Sequence, residues 1–213
     1  ILQAPSIEHL FGTDRLGRDV FARVLNGGQT SLIIGFLAAS ISSIVGLFIG
    51  INAGYFKGNI DKTITIMIDL FLTFPTFFLL LALVSYIQAS ALILIIVISI
   101  TSWMGMARMI RSESFAIGNK PFIKILKVAN VSTFKIIFKY FAPLLAPIFL
   151  ISFTFGVGGS ILAESGLSFL GLGINPPSMS WGSLLSDGKA VIDIAWWVSF
   201  FPGLMIFLIT FCL

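Results

Sequence analysis

The sequence predicts an all-α, polytopic transmembrane helical bundle, and three observations carry that prediction. Hydrophobic residues make up 57% of the 213-residue chain against 10% charged, with mean hydropathy +1.05. A water-soluble domain averages ~25% charged residues, so these side chains cannot cover a globular surface in water, and a soluble enzyme or a disordered chain is excluded. Five apolar stretches reach the ~20 helical residues needed to cross a bilayer core of ~30 Å. Lysine and arginine fall asymmetrically in the connections between those stretches.

The expected spans cover residues 31–54, 63–87, 91–110, 136–157 and 196–213. Pro75 interrupts the second, Pro143 and Pro147 lie in the fourth, and Pro202 in the fifth. Proline is tolerated there when neighbouring helices satisfy the freed carbonyls. Gly46 and Gly50, four apart in the first span, read as a close helix-packing pair. Gly156-Val157-Gly158-Gly159 closes the fourth span and reads as helix packing rather than a phosphate cradle. The chain opens without Met and ends in an apolar run; with its first span entering from outside, it is expected to be part of a longer protein of six spans.

Orientation follows from the cations. Lys57 and Lys62 lie between the first two spans, and Arg108, Arg111, Lys120, Lys124, Lys127, Lys135 and Lys139 between the third and fourth. Both connections then face the cytoplasm. Residues 1–30 and 159–193 face the other side, the second with Glu164, Asp187 and Asp193 against Lys189. The net charge of +4 is thereby read as membrane topology, and nucleic acid is not an expected partner. The domain organisation is an extracytoplasmic segment over 1–30 and a membrane domain over 31–213, with cytoplasmic segment 112–140 and extracytoplasmic segment 159–193. Leu16, Val20, Phe21 and Val24 recur at helical spacing, which predicts a short interfacial helix before the first span. Trp181, Trp196 and Trp197 are expected to anchor at headgroup level.

Little in the chain can do chemistry alone. There is no nucleophile–base pair and no P-loop. One cysteine, Cys212, excludes an internal disulfide, and with a lone His9 no Cys/His metal cage can form, so no metal site is expected. His9 reads as solvated. Asp69, about 9 Å into its span, must face a cavity or a polar partner, in a pathway or a structural role, the structural one favoured. Glu164, placed just past the fourth span, either contacts a ligand or begins a re-entrant turn. Arg108 and Arg111 read as membrane-boundary residues.

The cytoplasmic segment is the most informative. Phe122, Ile125, Leu126 and Ala129 recur at helical spacing, rimmed by Lys120, Lys124 and Lys127. Patterning leaves two readings: a helix resting on anionic lipid, slightly favoured, or one inserting into a groove of a cytoplasmic partner.

Longer motifs bear on that choice. Gly12-Thr13-Asp14-Arg15-Leu16-Gly17-Arg18-Asp19, followed by Arg23, resembles the "GTD-x-LGRD-x-x-x-R" motif of the permease subunits of ABC importers for dipeptides, oligopeptides and nickel. Asp69 through Phe74-Pro75 is similar to that family's Asp-(x)4-Phe-Pro segment. Glu164-Ser165-Gly166-Leu167-Ser168-Phe169-Leu170-Gly171-Leu172-Gly173, then Pro176-Pro177 and Ser180-Trp181-Gly182, resembles its "ES-x-LSFLGLG…PP…WG" block, and Trp196-Trp197 and Phe201-Pro202-Gly203 continue the likeness.

The resemblance implies the type I ABC importer permease fold and a non-catalytic subunit forming half of a translocation path in the bacterial cytoplasmic membrane. The implied partners are a second permease, two ATP-binding subunits that hold ATP and Mg, a substrate-binding protein and membrane lipid. The chain itself would bind no cofactor. The family's ATPase-coupling loop falls here on Lys124, Ile125, Leu126, Lys127, Val128, Ala129, Asn130, Val131 and Ser132. Lys124 stands in place of the loop's acid, Ile125 and Leu126 in place of alanines, and Asn130 in place of its glycine. The alternative is a secondary transporter or channel without an ATPase, which is expected to carry paired ionisable residues inside its spans.

Overall fold

The computed structural model describes all 213 residues. Its helices are α1 (Val20–Phe56), α2 (Gly58–Thr73), α3 (Thr76–Ser85), α4 (Ala91–Gly118), α5 (Pro121–Val128), α6 (Thr133–Ile136), α7 (Ala142–Phe169), α8 (Trp181–Lys189) and α9 (Trp197–Cys212), with a π-turn at Ile137–Phe141 between α6 and α7. There is no strand, only an isolated bridge between Thr13 and Asp19.

Three helical stretches are long and apolar enough to span a membrane: Val20–Phe56, Ala91–Gly118 and Thr133–Phe169. The pair α2 and α3 makes a fourth, broken where Phe74 takes the extended conformation that a following proline imposes. Helix α9 is apolar but only 16 residues long. The π-turn precedes Pro143, which has no N–H to offer the carbonyl of Lys139.

Three expectations change. Helix α1 begins at Val20, not near residue 31, because the Asp19 carboxylate accepts the Ala22 N–H at 2.9 Å and caps it there. Of the residues expected to form a separate interfacial helix, Val20, Phe21 and Val24 belong to the first turns of α1, whereas the Asp14 carboxylate takes the N–H groups of Leu16 and Arg18 and Gly17 turns the chain at φ +74°, so Leu16 sits exposed in a turn. Helix α7 runs through Gly156–Gly159 to Phe169; a Cβ on Gly156 or Gly158 would make only ordinary contacts, with Ala39 at 3.7 Å and Thr210 at 3.8 Å, and one on Gly159 would meet nothing.

The chain forms two compact units, to both of which α1, α4 and α7 contribute. The first (Ile1–Ala38, Phe77–Ile98, Val157–Leu213) has a core of Ile34, Leu80, Val84, Leu94, Ile98 and Leu167. Here Trp181 and Trp197 are buried, their indole N–H groups donated to the carbonyls of Val24 (2.9 Å) and Thr13 (3.2 Å). They tie α8 and α9 to the N-terminal segment, and of the three expected anchors only Trp196 is exposed.

The second unit (Ala39–Thr76, Ser99–Gly156) has a core of Ile51, Tyr55, Ile110, Ile117, Ile123, Ile136 and Phe141. Its seam is Gly46, Gly50 and Gly54 of α1 against α4. A Cβ on Gly50 would lie 2.7 Å from the carbonyl oxygen of Ala107, so only glycine permits the approach. The packing reading of Gly46 and Gly50 thus describes what they do.

Candidate functional site

The elements at the end assigned to the cytoplasm converge within the second unit. Lys57 donates to Asn119 at 2.6 Å, Tyr55 to Thr133 at 3.4 Å, and the Lys127 ammonium lies 4.1 Å from the Tyr55 ring centroid. Two of the cationic connections thus meet in one place. On it sits α5, started by Pro121 at its first turn and ended before Asn130, whose φ of +54° reverses the chain.

Helix α5 has two faces. Ile123 is fully buried, and Leu126 packs against the same core. Lys127 is held over Tyr55. The opposite face carries Ile125 (66% exposed) and Val128 (84%), with Lys124 and Ala129 beside them. Phe134 and Phe138 follow, also exposed, their rings 4.3 Å apart. Val131 packs inward, and Ser132 is exposed ahead of α6. Of the apolar residues read as one stripe, Leu126 therefore belongs to the permanent core and Ile125 to the open face.

Deeper in the same unit, two ion pairs join α2 to α4. Arg111 donates to both oxygens of Asp61, one bond at 2.8 Å. Arg108 donates to Asp69, both side chains 56% exposed. Arg108 and Arg111, read as boundary markers, thus each hold an acid, and Asp69 has the polar partner its depth demanded. Each carboxylate is matched to its own cation, which is not the chain of coupled acids a proton or ion relay requires.

The first unit brings together the segments 1–30 and 159–193, both expected to face away from the cytoplasm. The Asp14 carboxylate, 2% exposed, accepts four hydrogen bonds: from the N–H groups of Leu16 and Arg18, from Arg18 Nε at 2.7 Å and from Arg23 Nη1 at 2.8 Å. Burial opposes its charge, but the Arg18 and Leu16 bonds prevail and hold its pKa below the ordinary value. Arg23 reaches on to Asp187 at 3.0 Å. Asp19 is also held low, by the Ala22 N–H and then by His9, whose Nδ1 lies 2.8 Å away. His9 is therefore paired, not merely solvated. Gly12 and Gly17 adopt φ of +72° and +74°, and a Cβ on Gly12 would lie 2.7 Å from Trp197 Nε1. Thr13 is buried, its Oγ1 accepting the Gln3 N–H at 2.8 Å.

Glu164 lies inside α7, not past it, and is fully buried. Serine hydroxyls surround it: Ser168 at 2.6 Å, Ser31 at 3.1 Å and Ser165 at 3.5 Å. Ser31 also accepts the Trp181 N–H at 3.0 Å, so Glu164 ties α1, α7 and α8 together. It starts no re-entrant turn. No group of three or more His, Cys, Asp and Glu is gathered anywhere.

Residues 46–213 match the family of binding-protein-dependent transport system inner membrane components. The chain belongs to that family. Relatives of this membrane component include the oligopeptide transport system permease protein OppC of Haemophilus influenzae, 36% identical over 211 residues (98% of this chain, 68% of that one). OppC of Mycobacterium tuberculosis is 37% identical over 214 residues (100% and 74%). The dipeptide transport system permease protein DppC of Alkalihalophilus pseudofirmus is 38% identical over 209 residues (98% and 68%). A solved structure of the inward-facing MetNI methionine ABC transporter shares the fold, with TM-score 0.72 at 14% identity over 90% of this chain and 93% of that one. The transport component is thus an all-α, multi-pass membrane permease of the ABC-importer fold. Asp61, Asp187 and Ser31 were not singled out from sequence as contacts; Ser31 meets Glu164 across 133 positions, a pairing no local pattern encodes.

Proposed function

We propose that this permease is one membrane subunit of an ATP-driven importer of peptides in the bacterial cytoplasmic membrane. It pairs with a second permease, receives cargo from a substrate-binding protein, and is driven by two cytoplasmic subunits that hold ATP and Mg. It performs no chemistry and binds no cofactor. Peptide is the cargo favoured by the OppC and DppC relatives.

The observation that carries the coupling reading is the open face of α5. A short helix braced on the core by Ile123 and Leu126 presents Ile125 and Val128 outward. Burying such a face against a partner gains about 25 cal/mol per Å² of apolar surface. The brace means that a pull on α5 acts on the second unit as a body. Lys124 favours an acidic residue on the ATPase surface that receives it. The exposed Asp69–Arg108 pair is disfavoured against lipid, which supports its facing the water-filled path or the second permease.

Co-purification tests this reading. A tagged permease should bring down two nucleotide-binding subunits per pair of permeases, and the reconstituted complex should accumulate peptide only with ATP. Uptake that persists without those subunits, driven by an ion gradient, would establish the secondary-transporter alternative.

A further inference from the structure

The extracytoplasmic network leaves one charge unspent. Three guanidiniums, of Arg15, Arg18 and Arg23, share two carboxylates, Asp14 and Asp187, so the cluster carries one positive charge in excess. The excess is concentrated at Arg15. It is half exposed, and its one carboxylate contact is to Asp187 at 4.0 Å, beyond hydrogen-bond reach. Arg23 Nε is buried with no hydrogen-bond partner. These side chains line an open cavity of about 490 Å³. Asp187 and Asn175 share the lining with the three arginines, and Leu16, Ile174 and Met179 supply apolar surface to it.

We propose that this cavity is a binding site for a carboxylate borne on an apolar group. A single excess charge matches a monoanion better than a phosphate dianion. Arginine offers its guanidinium as a fork to both oxygens of a carboxylate. Leu16, Ile174 and Met179 offer apolar surface to the group that carries it. Two sources supply that chemistry: the terminal carboxylate of a cargo peptide, or an acidic side chain of the binding protein seated on this face. Both rest on the importer reading, whereas the carboxylate preference does not.

The first measurement is independent of transport. Thermal unfolding of the assembled transporter in nanodiscs is followed with N-acetyl-leucine or N-acetyl-leucinamide. The acid raises the unfolding temperature of the wild type more than the amide does, and Arg15→Gln abolishes the difference while Arg15→Lys keeps part of it. Arg15 is half exposed and lightly bonded, so its loss leaves the fold intact. Equal shifts from acid and amide in the wild type, or a difference that survives Arg15→Gln, overturn the proposal.

The second measurement assigns the source, using ATP hydrolysis stimulated by peptide-loaded binding protein. Loss of one charge-assisted bond raises the half-saturating concentration about tenfold. A rise in Arg15→Gln for an apolar dipeptide but not for its C-terminal amide identifies the cargo carboxylate. An equal rise for both identifies the binding protein. No rise with either overturns both sources. Absence of stimulation in the wild type counts against the importer reading alone.

Discussion

The two faces of α5 allow paired substitutions one residue apart to be told apart. Ile125 is 66% exposed, whereas Leu126 packs against the core around Ile123 and Ile136. Burying an isoleucine side chain is worth about 2–3 kcal/mol, so docking the exposed two-thirds gains about 1.5–2 kcal/mol. Ile125→Asp removes that gain and adds a carboxylate to be desolvated, which weakens the contact at least about tenfold. ATPase stimulation by loaded binding protein and peptide uptake should fall by that factor. The thermal stability of the isolated permease should stay within about 0.5 kcal/mol of the wild type, because in the free chain residue 125 faces solvent. Leu126→Asp places a charge against the core instead. It should cost stability by about 2–4 kcal/mol and reduce the yield of folded permease. Normal stimulated hydrolysis in Ile125→Asp would refute docking through this face. Loss of stability in Ile125→Asp but not in Leu126→Asp would refute the assignment of the faces.

Further outcomes follow from other contacts. Glu164→Ala leaves the hydroxyls of Ser31, Ser165 and Ser168 without their acceptor and should destabilise by about 3 kcal/mol at ~1 kcal/mol per bond, while Glu164→Gln, which keeps an acceptor, should lose about a third of that in detergent melts. Gly50→Ala should lower stability by about 1–2 kcal/mol, overpacking against Ala107 and Ile110 exceeding the helix-propensity gain, whereas Gly159→Ala in open space should be neutral or stabilising. Asp14 has a lowered pKa when folded, so its stabilisation is complete above the ordinary carboxylate range near ~4 and is lost as pH falls through the lowered value. Trp197 fluorescence, reporting the Thr13 contact, should therefore show acid-sensitive unfolding that Asp14→Asn flattens by weakening the fold at neutral pH.

The spans were legible because hydropathy is a bulk property, and the break at Pro75 because the residue before proline is sterically barred from the helix. Other features were hidden for physical reasons. Gly156–Gly159 reads as a helix end by propensities measured in water. Inside a bilayer a backbone N–H has no water to turn to, so α7 continues and carries Glu164 inward. The polar residues Arg23, Asn26 and Gln29 separate the helical spacing of Val20, Phe21 and Val24 from the first apolar span, yet one helix capped by Asp19 runs through both. Ile125 and Leu126 are both apolar in sequence. Only their packing separates the residue that braces α5 from the one left open, and that choice is made by side chains from distant parts of the chain. The motif around Asp14 was visible as a string of residues, but its fold depends on Gly12 and Gly17 at positive φ and on Arg23 and Asp187, 164 positions apart.

The two acid–base couples between α2 and α4 bear on how this protein responds to an energised membrane. A transmembrane voltage does work only on net charge that is displaced along the field, about 2.3 kcal/mol per elementary charge per 100 mV. Asp61 with Arg111 and Asp69 with Arg108 each sum to zero net charge. A joint shift of these helices would draw no gating charge from the two couples themselves.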